Sequence, residues 1–150
     1  DVKNAKNNLE NFLPEFIKNI SSDAKKEITI KGDTIKVSID GENIGFLIGY
    51  RGETLYAVQN ILSSVANKNT TNRVRILLDI AGYKEKREKT LENLAERMAS
   101  KVIRTGKAVT LEPMKPYERK IIHAKLQNSK KVTTQSIGEE PRRRLVISLK

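Results

Sequence analysis

The sequence predicts an α+β protein made of two small units, and three of its features point there. Apolar residues switch repeatedly between helical spacing and strand-like alternation. Two such series are separated by Gly82. The charge is divided as well: residues 1–100 carry 16 Lys and Arg against 14 Asp and Glu, and residues 101–150 carry 13 against 4, so +9 of the net +11 belongs to the last third. The expected units are residues 1–81 and 82–150, a size at which each builds one modest core.

In the first unit, Val2, Ala5, Leu9, Phe12, Leu13, Phe16, Ile17 and Ile20 recur at helical intervals, with Pro14 expected to kink or restart the helix. Glu27–Lys31 and Thr34–Asp40 alternate apolar and polar around the two-residue Gly32-Asp33, a hairpin signal. The segment 41–67, GENIGFLIGYRGETLYAVQNILSSVAN, reads as a short helix, a Gly49-Tyr50-Arg51-Gly52 break, and a long helix carrying Leu55, Val58, Leu62 and Val65. Residues 73–80 alternate again, with Val74, Ile76, Leu78 and Ile80 on one face. In the second unit Leu91, Leu94, Ala95, Met98, Ala99, Val102 and Ile103 form a helical stripe ending at Gly106, a C-cap residue. Strands are expected near 108–111, 131–136 and 143–149, and a helix from Pro116 to about Gln127, since proline suits a helix's first turn.

Composition excludes several chemistries. With no cysteine and one histidine, disulfides and thiolate or zinc sites are out, and no metal or cofactor is expected. No apolar run approaches the ~20 residues of a membrane helix, and no signal-peptide pattern opens the chain. The expected location is the cytoplasm, and a first residue other than Met suggests a fragment. The basic last third favours a polyanionic partner, because lysine and arginine at phosphates release condensed counterions. A merely solvated basic surface and membrane headgroups are the competing explanations.

Gly49 and Gly52 bracket Tyr50 and Arg51, and glycine tolerates positive φ and close backbone approach. The following helix would present free N–H groups to an anion at its N-terminus. Taken with the element order, Ile44-Gly45-x-x-Ile48-Gly49-x-x-Gly52-x-Thr54-Leu55 resembles the KH domain in its type II arrangement over roughly residues 1–80. The resemblance implies a clamp on about four nucleotides of a single strand. Gly49 to Gly52 with Arg51 would hold phosphates, and bases would lie over Ile44, Ile48 and the strand from Arg73. Where KH relatives often have a basic residue, this chain has Tyr50, which stacks on a base or covers the loop.

Arg119 and His123 stand four apart on the expected 116–127 helix, with Lys120 beside them. LEPMKPYERKIIHAKLQ followed by VTTQSIGEEPRRRLVISL resembles the small α/β single-stranded nucleic-acid-binding domain named for an Arg and a His separated by three residues. A three-stranded sheet is implied, with Arg119, Lys120, His123, Arg142, Arg143 and Arg144 on a basic face. Over its whole length the chain resembles the C-terminal part of the bacterial Jag, or SpoIIIJ-associated, family. That likeness implies a cytoplasmic RNA-binding regulator connected with cell-envelope growth or sporulation, working with a small KH-domain protein or as a homodimer. Single-stranded RNA is the expected ligand, with single-stranded DNA as the variant. A protein-interaction module with an incidental basic surface is the main competitor. A nuclease is disfavoured by the lack of clustered carboxylates, Glu139 and Glu140 being expected instead to order Arg142–Arg144.

Overall fold

The computed structural model describes residues 1–150 as two compact units, Asp1–Lys84 and Glu85–Lys150. No helix is long and apolar enough to cross a membrane. The first unit opens with helix α1 (Val2–Ile20), whose Ala5, Leu9, Leu13 and Ile17 face the core. Pro14 lies inside it, so the expected restart does not occur. Its position explains why: Pro14 is on the exposed side, where water can reach the carbonyl that a proline leaves without a donor.

Strands β1 (Lys25–Lys31) and β2 (Thr34–Asp40) form the hairpin, with Gly32 at φ 64° in the turn. Two 3-10 turns follow, Gly45–Leu47 and Tyr50–Gly52, and then helix α2 (Glu53–Ala66). The short helix expected before the glycine loop is only the first of these turns. Gly49, at φ 71° and ψ −176°, holds a backbone conformation that ends any helix there. Strand β3 (Arg75–Ile80) completes a sheet ordered β1-β2-β3, antiparallel in the first pair and parallel in the second. The parallel pair requires a crossover, which the glycine loop and α2 supply. One face of β2 and β3, from Ile35, Val37 and Ile39 to Ile76, Leu78 and Ile80, packs with Leu9, Leu13, Leu55 and Leu62 in one core.

Polar side chains close the ends of these elements. The Asn8 amide donates to the Ala66 and Lys68 carbonyls at 2.9 and 3.0 Å, satisfying acceptors at the α2 C-terminus that the helix leaves over. The Asp79 carboxylate accepts from the Lys84 N–H at 3.2 Å, in the first turn of helix α3 (Tyr83–Thr105).

In the second unit α3 buries Leu91, Ala95, Ala99 and Val102, while Ile103, expected on the same stripe, is exposed. Gly106 follows at φ 73° and donates to the Val102 carbonyl at 2.8 Å, the C-cap the sequence suggests. Strand β4 (Val109–Thr110), helix α4 (Pro116–Leu126), β5 (Val132–Ile137) and β6 (Arg144–Leu149) follow. The sheet is ordered β4-β6-β5 and is wholly antiparallel. Ile122, Leu126, Val132, Leu145 and Ile147 join the α3 stripe in its core. Glu118 is only 3% exposed and accepts from the Arg87 Nε at 2.7 Å, so the buried carboxylate of α4 has a cation on α3.

Candidate nucleic-acid interface

The glycine loop of the first unit is built by backbone requirements. At Gly49 a Cβ would run into the Thr54 hydroxyl and lie 3.0 Å from the Thr54 nitrogen; at Gly52, φ 80°, it would lie 2.9 Å from the Tyr83 ring. Neither position tolerates a side chain without movement. Between them Arg51 adopts φ 53°, an uncommon conformation for a non-glycine residue, and its guanidinium lies 5.0 Å from the centre of the Tyr50 ring. Tyr50 is 69% exposed and Phe46, on the preceding turn, 61%. Large aromatic surface is thus left in water beside a cation.

Two expectations for this loop change. Ile44 is 2% exposed, so it holds the loop from the core and offers no surface for a base, whereas Ile48 is half-buried at the rim. The helix N-terminus is also less open than predicted. Glu53 N–H donates to the Tyr50 carbonyl and Leu55 N–H to the Ile48 carbonyl at 3.1 Å, because the tight 3-10 turn folds its own acceptors onto these donors. The side chains of Tyr50 and Arg51 therefore matter more than the helix end.

Arg73 lies beside a separate open depression, lined by Gln59, Asn60 and Ser63 of α2 and by Arg73, Arg75 and Leu77. Its guanidinium donates to the Ser63 hydroxyl at 3.2 Å, and Gln59 Oε1 accepts from the Leu78 N–H at 2.9 Å along the β3 edge. Sequence reasoning missed Arg75, Gln59 and Ser63. The four-residue spacing of Gln59 and Ser63 and the two-residue spacing of the arginines were the available signals.

In the second unit a shallow depression between α4 and the sheet is lined by Arg119, Lys120 and His123 of the helix, Thr134 and Ser136 of β5, and Arg143. Helical spacing places the first set and strand alternation the second. Thr134 and Ser136 follow buried Val132 at two-residue intervals, a signal not used in the sequence reading. His123 Nδ1 lies 2.6 Å from the Thr134 hydroxyl, which fixes the ring and leaves Nε2 for a ligand.

Arg142, Arg143 and Arg144 do not act as one run. Period two puts Arg143 on the face of Leu145, in the depression, and Arg144 on the opposite face. Arg143 Nη1 donates to the Gly138 carbonyl at 2.6 Å and Arg144 Nε to the Arg142 carbonyl at 3.3 Å. Glu140 does not order these arginines, since its carboxylate accepts from Arg119 Nη2 at 2.7 Å. Arg119 is 8% exposed, and its Nη1 donates to the Met114 carbonyl at 2.5 Å. No group of three or more metal-ligating side chains exists in the structure.

The type II element order with its glycine loop, followed by an α/β unit with Arg119 and His123 on one basic face, defines a two-module protein of the KH and Arg-x-x-x-His classes. The corresponding family models match: a KhpA/KhpB KH domain over residues 6–78 and the Arg-x-x-x-His domain over residues 89–149. The chain is 44% identical to the RNA-binding protein KhpB of Clostridium symbiosum, covering 97% of this chain and 68% of that protein. It is 36% identical to the KhpB of Lactiplantibacillus plantarum, over 95% of this chain and 44% of that protein, and 37% identical to the KhpB of Bacillus subtilis, over 84% and 62%. The chain belongs to the KhpB family, the Jag family of the sequence reading. It spans between about two fifths and two thirds of these relatives' lengths.

Proposed function

We propose that this chain binds single-stranded RNA through two faces, the glycine loop of a KH domain over residues 1–81 and the basic depression of an Arg-x-x-x-His domain over residues 82–150. The observation that carries this reading is the loop itself. Gly49 and Gly52 hold the exposed Tyr50 ring beside the half-buried Arg51 guanidinium, an aromatic and a cation side by side, the pair that a stacked base and its phosphate need. Lys120, His123 and Arg143 supply a second phosphate-binding face. Phosphate contacts set affinity and base contacts set preference, so sequence selectivity resides in the first face. Single-stranded DNA would meet the same groups, and the relatives' name supports RNA.

In the cell we read the protein as a cytoplasmic post-transcriptional regulator linked to cell-envelope growth or sporulation, and as a binding protein without catalytic activity. A small KH-domain chain or a second copy is the expected partner, supported by a matching model that covers both KhpA and KhpB. The competing protein-interaction reading draws on Ile61, 51% exposed on α2, and Phe46. Fluorescence anisotropy of a short single-stranded RNA with duplex competitor across a salt series separates the two. RNA binding predicts preference for the single strand and a log–log slope of about −3, from about four phosphates at about −0.7 each. A dimer indifferent to both salt and oligonucleotide would establish the interaction module instead.

A further inference from the structure

The arginine of the Arg-x-x-x-His motif is already holding an anion. Arg119 is anchored by the Met114 carbonyl at 2.5 Å through one terminal nitrogen, and the other donates to Glu140 at 2.7 Å. A carboxylate offers the guanidinium two oxygens in nearly the arrangement a phosphate does, so Glu140 stands where a ligand phosphate would stand. The two partners differ in depth: the Arg119 side chain is 9% exposed and that of Glu140 50%. The arginine is therefore fixed, and the carboxylate is the half that can leave into water at little cost.

The turn carrying Glu140 also carries a ligand-facing cation. Gly138, at φ 84°, begins it; the Arg142 N–H closes it on the Glu139 carbonyl at 2.8 Å; and Arg143, bound to the Gly138 carbonyl, reaches the depression. A lone anion must displace Glu140 with Arg119 as its only gain. A chain of phosphates engages Lys120, His123 and Arg143 at neighbouring positions while it does so.

We propose that Glu140 is a resident carboxylate gate on a phosphate subsite at Arg119, so that this face admits phosphate chains and rejects isolated anions. The proposal rests on the RNA-binding reading for its ligand class and on the Arg119–Glu140 geometry for the gate. Glu140→Gln keeps a neutral acceptor for Arg119 and removes the competing charge. Glu139→Gln, one residue away, makes the same change in net charge without touching the pair. By anisotropy with a short single-stranded RNA, Glu140→Gln should bind about three- to tenfold more tightly than Glu139→Gln at low salt, with a similar salt slope, since the phosphate chain reaches Arg119 in both variants. Equal affinities for the two variants would overturn the gate.

If the wild-type protein binds no RNA, the RNA reading falls while the gate is still judged with sodium tripolyphosphate, followed by NMR at the ring protons of the single histidine. The gate predicts saturation of Glu140→Gln at a lower concentration than Glu139→Gln, and coincident titrations refute it. Should Glu140→Gln melt well below Glu139→Gln, Glu140→Asp replaces it and Glu139→Asp becomes its control, since both keep the net charge. The shorter carboxylate reaches Arg119 less well, so Glu140→Asp should bind more tightly than Glu139→Asp, and equal affinities overturn the gate.

Discussion

The side chain of Asn67 pairs with the backbone of Val74 as a neighbouring strand would: Asn67 Oδ1 accepts from the Val74 N–H at 2.7 Å, and Asn67 Nδ2 donates to the Val74 carbonyl at 3.0 Å. The same amide reaches the Ser63 carbonyl at 2.8 Å near the end of α2. One residue thus caps a helix and starts the run into β3. Asn67→Ala leaves the Val74 donor and acceptor without this partner, and a cost of about 2–3 kcal/mol is expected in urea unfolding of the chain. A loss under about 0.5 kcal/mol would mean that water replaces the amide.

Gly49 and Gly45 separate conformational need from mere loop composition. Gly49→Ala must put a Cβ against Thr54 at a backbone angle that side chains avoid, and should destabilise by about 1–3 kcal/mol. Gly45 has open space around its would-be Cβ and no positive φ, so Gly45→Ala should stay within about 0.5 kcal/mol of wild type. Thermal melts of the two variants check the contrast.

Tyr50 is exposed and Arg51 half-buried, and both lie outside the core cluster, so they can be changed without disturbing it. The double variant Tyr50→Asp, Arg51→Asp should abolish binding at the first face while the circular dichroism spectrum stays that of wild type. Unchanged affinity would remove the loop from the interface.

Phe46 tests stacking apart from charge. Phe46→Ala should weaken single-stranded RNA binding by about tenfold, the scale of one lost base–aromatic contact, at an unaltered salt slope. A change in slope with no loss of affinity at low salt would contradict a stacking role.

Lys84 carries a pH prediction. Burial lowers its pKa from the ordinary lysine value, partly offset by Asp79, while Lys36 and Arg75 lower it further. The folded pKa lies below the unfolded one, so the unfolded state binds more protons as the pH approaches the ordinary value. Stability from this group is therefore reduced below the folded pKa and recovers as pH rises through it. Lys84→Met keeps the apolar stem near the Tyr56 ring without the desolvated charge. It should raise stability slightly, by under about 1 kcal/mol given the group's partial exposure, with the gain shrinking toward pH 10. Denaturant midpoints at pH 7 and pH 10 give the comparison.

Much of the fold was legible because each element carries its own period. Val74, Ile76, Leu78 and Ile80 alternate in sequence and all four are buried, and Pro116 opens α4 at its first position. Pro14 does not restart the helix, because a proline's effect depends on which side of the helix it faces, and that is settled by what packs on the opposite side. The site was legible by residue type and only partly by role. Ile44 and Arg119 belong to matching motifs, yet one is in the core and the other is engaged by Glu140, 21 residues away in sequence.

By itself the sequence determined the two modules, the glycine loop and the Arg-His pair, since local periodicity and the backbone freedom of glycine act over a few residues. Only the tertiary structure decided which charges are available. Burial of Arg119, its pairing with Glu140, and the division of Arg143 from Arg144 between two faces of a sheet arise from contacts between distant segments, and the strength of an electrostatic interaction depends on the solvent those contacts exclude.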